Sequence, residues 1–141
     1  MEVNFNWEWL LRLLVAALLG ALVGWEREQA QRPAGLRTYM LVTLGSALFT
    51  VLSITAFKAI GSTDDPGRIA AQIVTGIGFL GAGTVYREGD VVRGLTTAAG
   101  LWAMAAIGMA VGVGQYVLGV ISTGIVLSIL VLVRLFERRK K

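Results

Sequence analysis

The chain has 141 residues, of which 55% are hydrophobic and 16% are charged, and its net charge is +4. Because soluble domains carry about 25% charged residues, this composition excludes a water-soluble core under a polar shell. The sequence contains neither cysteine nor histidine, which excludes disulfides and thiolate metal sites and removes the commonest zinc ligand and general base.

Five apolar segments have the length, or nearly the length, of a membrane-spanning helix, which takes about 17–25 mainly apolar residues. In chain order, the predicted spans are residues 9–25, 38–57, 69–85, 95–113 and 116–133. The first residues, MEVNFNWEW, lack the basic start of a cleavable signal peptide, so we expect the first span to remain as an anchor. The prediction is an all-α membrane protein of five transmembrane helices in one domain, residues 1–141, with no cofactor and no nucleic-acid partner.

The basic residues predict the orientation of these spans. Ten of the thirteen Lys and Arg residues fall on one side, namely Arg27, Arg32, Arg37, Arg87, Arg93, Arg134, Arg138, Arg139, Lys140 and Lys141. The other side keeps Arg12, Lys58 and Arg68. Since cytoplasmic loops carry the excess of Lys and Arg, we expect the N-terminus outside and the C-terminus and both charged loops in the cytoplasm.

The connection between the first two spans, GWEREQAQRPAGLRT (residues 24–38), concentrates charge. Glu26 and Arg27 end the first helix, and Arg37 and Thr38 begin the second. Two interpretations stay open here. Either Glu26 pairs with Arg37 or Arg27 while the other arginines fix the topology and contact anionic lipid, or these groups bind an anionic ligand or a partner protein.

The second charged connection resembles the first. LLGALVGWERE…AGLRT (residues 18–38) and FLGAGTVYRE…RGLTT (residues 79–97) share a glycine-rich helix end, an aromatic, a charged cluster, a glycine and Leu-x-Thr. A repeat would be parallel, because both first helices run from outside to inside. The two loops would then be halves of one binding surface, and Thr96 and Thr97 would join it.

The glycines of the spans predict close helix packing. GIGFLGAG (residues 76–83) contains G-x-G-x-x-G, but a dinucleotide fingerprint must follow a strand and open a helix. Packing through small residues fits a membrane span better, and a third helix broken by its glycines is the alternative. The packing candidates are Gly20, Gly24, Gly78, Gly81, Gly83, Gly108 and Gly112. We expect these faces to support a homo-oligomer, most simply a dimer.

Several polar side chains fall in or beside the spans. Arg68, Gln72 and Thr75 share one face of the third helix, which predicts either an interface anchor with an interhelical hydrogen bond or a polar recess. Trp102 lies inside the fourth span, so its indole N–H needs a partner in the bundle. We also expect an outer-edge pair between Glu8 and Arg12.

The outer loop contains two adjacent acids, Asp64 and Asp65, followed by Pro66-Gly67. Adjacent carboxylates are oxygen ligands of the kind that magnesium prefers. Asp-Asp-Pro-Gly is nevertheless a common turn sequence, and we expect a turn and no metal site.

Three blocks of the sequence resemble the MgtC/SapB family of bacterial inner-membrane proteins. They are GWERE…AGLRTYMLVTLGSALF, RIAAQIVTGIGFLGAGTVYRE and VRGLTTAAGLWAMAAIGMAVGVG, and the resemblance covers the chain from about residue 14 to residue 114. The resemblance implies a multi-pass protein of the inner membrane, in the short form that lacks a cytoplasmic C-terminal domain. The family's characteristic residues would here be Gly24, Glu26, Arg27, Gly35, Arg37, Thr38, Arg68, Gln72, Gly78, Gly81, Gly83, Gly94, Thr96, Thr97 and Trp102.

The resemblance also implies a function. The family is linked to growth under magnesium limitation and to virulence. The resemblance implies a regulator that contacts another membrane protein, such as ATP synthase. We expect a non-enzymatic protein of this kind, since the sequence has no intramembrane carboxylate pair. The alternative is a small ion or solute transporter or channel, in which Arg68, Gln72 and a broken third helix would form the path.

Overall fold

The computed structural model describes residues 6–59, 65 and 67–139 of the chain. They form five helices and a two-stranded antiparallel sheet. The helices are α1 (Trp7–Gln29), α2 (Leu36–Ala59), α3 (Gly67–Ala82), α4 (Leu95–Gly112) and α5 (Tyr116–Arg139). The strands, β1 (Tyr86–Glu88) and β2 (Val91–Arg93), lie between α3 and α4.

Four helices of the described chain are long and apolar enough to cross a membrane. They are Trp7–Gln29, Leu36–Ala56, Leu95–Gly112 and Tyr116–Phe136. The α3 helix has 16 residues, which at 1.5 Å per residue gives about 24 Å against a hydrocarbon core of about 30 Å. The predicted bundle of five helices is therefore confirmed. The predicted third span, residues 69–85, extended past the end of α3, because residues 83–85 turn away towards β1.

Contacts between distant parts of the chain define the two ends of the bundle. At one end, Arg12 of α1 donates to the carbonyl of Gly112, where α4 ends. At the other end, Glu26 of α1 contacts Arg134 near the end of α5. We call the second end, with the α1–α2 turn (residues 30–35) and the β-hairpin, the loop end. The first, with the α4–α5 turn (residues 113–115), is the distal end.

The α2 helix lies between α1 and α4, and glycines allow all three backbones to approach closely. A Cβ on Gly20 of α1 would lie 2.7 Å from Thr43 Oγ1, and a Cβ on Gly108 of α4 would lie 2.3 Å from the Thr43 carbonyl oxygen. Gly24 and Gly112 have equally little room, against Leu36 and Thr50. Apolar side chains fill the rest of the bundle, including Ala16, Leu19, Val23, Leu101, Met104 and Val111.

The α3 helix lies at the edge of the bundle. It is unbroken from Gly67 to Ala82 and packs on α4, where a Cβ on Gly81 would lie 3.5 Å from Ala98. A Cβ on Gly76 or Gly78 would meet no atom within 4 Å. A groove of about 820 Å³ therefore remains between α2 and α3.

Of the two predictions about polar groups in the spans, the one for Trp102 was wrong and the one for α3 stays a prediction. Arg68, Gln72 and Thr75 are exposed, because α3 buries only the side that carries Ile77 and Gly81, and both alternatives, an interface anchor or a polar recess, therefore stay open. The Trp102 side chain is 55% exposed, because α4 packs through the side that carries Leu101, Met104, Ala105 and Gly108.

Candidate functional site

A cluster of three charged side chains joins α1 to α5 at the loop end. The Glu26 carboxylate lies between two guanidinium groups, with Oε2 at 2.5 Å from Arg27 Nε and Oε1 at 2.9 Å from Arg134 Nη1. The first contact is a hydrogen bond, whereas the second is an ion pair without hydrogen-bond geometry. The Arg27 side chain is only 2% exposed, so its charge depends on Glu26 for compensation.

This cluster decides between the partners predicted for Glu26. Its carboxylate binds Arg27 and, in addition, Arg134, a partner that the sequence does not predict. Arg37 is exposed, and among the described residues no carboxylate pairs with it. Glu26 and Arg27 therefore satisfy each other inside the chain, and Arg37 remains available at the surface.

A second glutamate, Glu28, holds the α1–α2 turn. Its Oε2 accepts a hydrogen bond from the backbone N–H of Leu36 at 2.9 Å, which satisfies one of the free donors at the start of α2. A Cβ on Gly35 would lie 2.8 Å from this oxygen. Sequence reasoning missed this role, because a cap eight residues before the helix has no local signature.

Tyr39 is the buried polar anchor between α2 and α4. Its side chain is fully buried, and the hydroxyl donates to the Thr97 carbonyl at 3.4 Å. A Cβ on Gly100 would lie 2.5 Å from this hydroxyl. The prediction of Thr97 as a partner-binding surface residue was wrong, since its side chain turns into the core.

The two charged connections lie side by side and enclose a cleft, here the loop-end cleft, of about 640 Å³. One wall is formed by Gln31, Arg32 and Pro33 of the α1–α2 turn, and the other by Tyr86 and residues 91–97. Thr96 is exposed in this cleft. Gly94 shapes it, because its φ is +87° and a Cβ there would lie 1.9 Å from the Thr84 carbonyl oxygen.

The β-hairpin beside this cleft exposes apolar side chains. Tyr86 pairs with Arg93 and Glu88 with Val91 across the strands, and Glu88 also forms an ion pair with Arg93 at 2.5 Å. Tyr86, Val91 and Val92 are each about half exposed (52%, 56% and 49%). Apolar side chains on an exposed hairpin are typical of contact with a partner or with the membrane interface.

The distal end is held by Arg12. Its guanidinium pairs with Glu8, as predicted, and Nη1 also donates to the Gly112 carbonyl at 2.7 Å. The charged side chain thus closes the C-terminal end of α4, where carbonyls lack intrahelical partners.

The acids that precede α3 form no recognisable metal site in the part of the chain that is described. Asp64 lies outside the described residues, and Asp65 Oδ1 accepts a hydrogen bond from the Gly67 N–H at 2.9 Å, as in a turn. Within the described ranges, no three acidic side chains group as metal ligands would.

The helices and the surface that they carry define a multi-pass helical membrane protein with a charged, partly apolar loop end. The sequence profile of the MgtC family matches residues 13–139. The chain belongs to the MgtC family.

Relatives in three bacteria are similar to this chain. Protein MgtC of Salmonella typhimurium strain LT2 is 54% identical over 126 residues, which cover 89% of this chain and 52% of that protein. "Putative magnesium transporter YhiD" of Escherichia coli strain K12 is 46% identical over 129 residues, covering 89% and 59%. Protein MgtC of Brucella abortus strain 2308 is 46% identical over 119 residues, covering 84% and 48%.

The chain thus spans about half the length of the curated relatives that it matches. No solved structure matches it significantly.

Proposed function

We propose that this chain is a non-enzymatic regulator of the bacterial inner membrane, used in adaptation to low magnesium and acting through contact with another membrane protein such as ATP synthase. Its loop end faces the cytoplasm. The proposal rests on membership of the MgtC family together with the arrangement of the loop end.

The main support for the proposal is the loop-end cleft together with the exposed hairpin that forms one of its walls. The cleft offers Arg32 and Thr96 as polar groups, and the hairpin offers Tyr86 and Val92 as apolar ones. Interfaces combine an apolar centre with a polar rim in this way, and tyrosine and arginine are their most frequent anchors.

The interior of the bundle supports contact rather than transport. Apolar side chains fill most of the space between α1, α2 and α4, and the buried hydroxyl side chains of Thr43 and Thr50 lie directly against glycines of α1 and α4. Every Asp and Glu of the described residues lies at or beyond a helix end, whereas cation paths are usually lined by acids within the membrane.

Magnesium flux into proteoliposomes tests the proposal. The purified chain is reconstituted around a magnesium-sensitive dye, and uptake is compared with that of protein-free vesicles. We expect equal rates. Saturable uptake that Gln72→Leu abolishes and Gln115→Leu preserves would overturn the regulator and establish a transporter.

Transport is the second candidate, because the name of the Escherichia coli relative describes a magnesium transporter. In the structure, Gln72 lines the groove between α2 and α3. A path along this groove would need a second subunit to close it, since the groove opens to the outside of the bundle. Flux that depends on Gln72 and on protein density in the vesicle is the signature of this candidate.

We also propose that the two helical hairpins form a parallel repeat. Gly20 contacts the backbone at Tyr39, and Gly81 contacts Ala98. These pairs occupy matching positions in LLGALVG…GLRT and FLGAGTV…GLTT. The same contact in both hairpins supports the repeat, although α1 and α2 approach more closely than α3 and α4.

A further inference from the structure

The groove between α2 and α3 is apolar and lies on the outside of the bundle. Its volume of about 820 Å³ falls within the range of about 300–1,000 Å³ that is typical of ligand sites. Its α2 wall is formed by Leu41, Phe49 and Leu52 and its α3 wall by Ile73 and Leu80. A molecule that binds in this groove must therefore be largely apolar.

Two glycines in the walls keep the groove wide. A Cβ on Gly45 of α2 or on Gly76 of α3 would meet no atom within 4 Å, although both residues line the groove. This differs from Gly20 and Gly108, where a neighbouring helix uses the space. The open volume at Gly45 and Gly76 is therefore not needed for packing within the described chain.

The loop end of the groove carries a positive charge. Thr38 lines the groove and is exposed, and Arg37 precedes it, four residues before Leu41. Residues four apart lie on one helix face, so Arg37 stands above the apolar wall that Leu41 begins. Arg37 is exposed and has no ion-pair partner among the described residues.

Neither of the nearby acids pairs with Arg37. Glu26 compensates Arg27 and Arg134, and Glu28 accepts from the Leu36 N–H. A bound molecule with an anionic group would therefore complement the positive charge of Arg37 at the loop end of the groove. A second copy of the chain would instead bring its own basic loop end against Arg37, since helices of two copies inserted in the same orientation meet with like ends together.

We propose that the α2–α3 groove binds an anionic phospholipid, with one or more acyl chains between Gly45 and Gly76 and the phosphate on Arg37 and Thr38. Arginine suits this position because its planar fork binds phosphate oxygens with two donors. The position at a helix start adds backbone N–H groups and the positive end of the helix dipole. The site is independent of the loop-end cleft and of the proposed function.

Native mass spectrometry of the detergent-solubilised chain measures this binding directly. We expect phosphatidylglycerol to bind more tightly than phosphatidylcholine with the same acyl chains, and an excess of inorganic phosphate not to displace it. Arg37→Gln should weaken phosphatidylglycerol binding by about fivefold, as expected for one basic residue at a membrane surface. Arg87→Gln, an exposed arginine of the hairpin, is the matched control and should leave binding unchanged.

Filling the groove tests the acyl-chain part of the site. Gly45→Leu and Gly76→Leu each add a side chain into open space, so both should fold and bind phosphatidylglycerol at least tenfold more weakly. Gly124→Leu on α5 also enters open space, and it controls for added apolar surface. A thermal unfolding midpoint is measured for each variant to show that it is folded. Weaker phosphatidylglycerol binding by either folded groove variant is enough to support the proposal.

Three results would overturn the proposal. The first is equal binding of the two lipids by the unmodified chain. The second is equal binding by Arg37→Gln and Arg87→Gln. The third is a dimer that Gly76→Leu dissociates while lipid binding persists, because a second copy would then occupy the groove.

Discussion

Glu26 on α1 and Arg134 on α5 meet at 2.9 Å at the loop end of the bundle. The same carboxylate binds the buried Arg27 through its other oxygen, at 2.5 Å. One glutamate thus fixes the first helix to the last and compensates a charge that is almost fully removed from solvent. The role of Glu26 in this structure is to hold the loop end together.

Replacing Glu26 with alanine should therefore destabilise the protein. The change leaves Arg27 buried without its carboxylate, which we expect to cost about 3–5 kcal/mol of unfolding free energy. The measurement is unfolding in detergent together with the amount of protein in the membrane. Arg134→Gln is the control and should cost less than Glu26→Ala, because it removes an ion pair without hydrogen-bond geometry and leaves the buried Arg27 paired with Glu26. Equal stability of Glu26→Ala and the unmodified chain would contradict the structural role of the cluster.

Alanine substitutions should separate glycines that pack from glycines that line open space. Gly108→Ala places a Cβ 2.3 Å from the Thr43 carbonyl oxygen, so α2 and α4 must move apart at a cost of about 1–3 kcal/mol. Gly76→Ala meets nothing and should be neutral or slightly stabilising. Unfolding of the two variants in the same detergent gives the comparison. If Gly108→Ala is as stable as Gly76→Ala, α2 does not pack on α4 as described.

Two glycines of the hairpin region should also differ. Both have positive φ, +62° at Gly89 and +87° at Gly94. Gly94→Ala adds a clash with the Thr84 carbonyl oxygen, and we expect it to lower the amount of folded protein sharply. Gly89→Asn has open space, and asparagine tolerates this conformation, so its level should match that of the unmodified chain. The reverse order of levels would show that the turn before α4 is built differently.

Single cysteines test the proposed orientation, because the chain has none of its own. Asp90→Cys places a thiol on the exposed hairpin, and Gln115→Cys places one in the exposed α4–α5 turn. With the outer membrane permeabilised, an impermeant maleimide should label Gln115→Cys in intact inner membranes and label Asp90→Cys only after lysis. Labelling of Asp90→Cys before lysis would place the loop end outside.

The sequence predicts the helices well, because uninterrupted apolar runs in a chain with so few charges have no other stable form in lipid. It places the charged connections at one end through the distribution of arginines. It does not reveal the β-hairpin, since two strands of three residues carry too weak a pattern. The end of α3 was misplaced for a related reason: Thr84 and Val85 are apolar enough to extend a span.

Long-range partners were harder to predict than helices. Glu26 had two arginines nearby in the sequence, and Arg134 becomes a partner only when α5 returns to the loop end. The exposure of Trp102 depends on which side of α4 packs, and an all-round apolar helix gives no periodicity from which to predict this. The anchoring role of Tyr39 depends in the same way on glycines that lie in other helices.

The proposed contact of the hairpin with another membrane protein can be measured by photo-crosslinking in native membranes. A photoreactive amino acid replaces Val92 on the hairpin or, as a matched control, Val120, a similarly exposed valine of α5. Cells that grow normally at low magnesium should give an adduct with one defined membrane protein from position 92 and not from position 120. Normal growth with no adduct from position 92 above the level at position 120 would show that the hairpin does not make this contact.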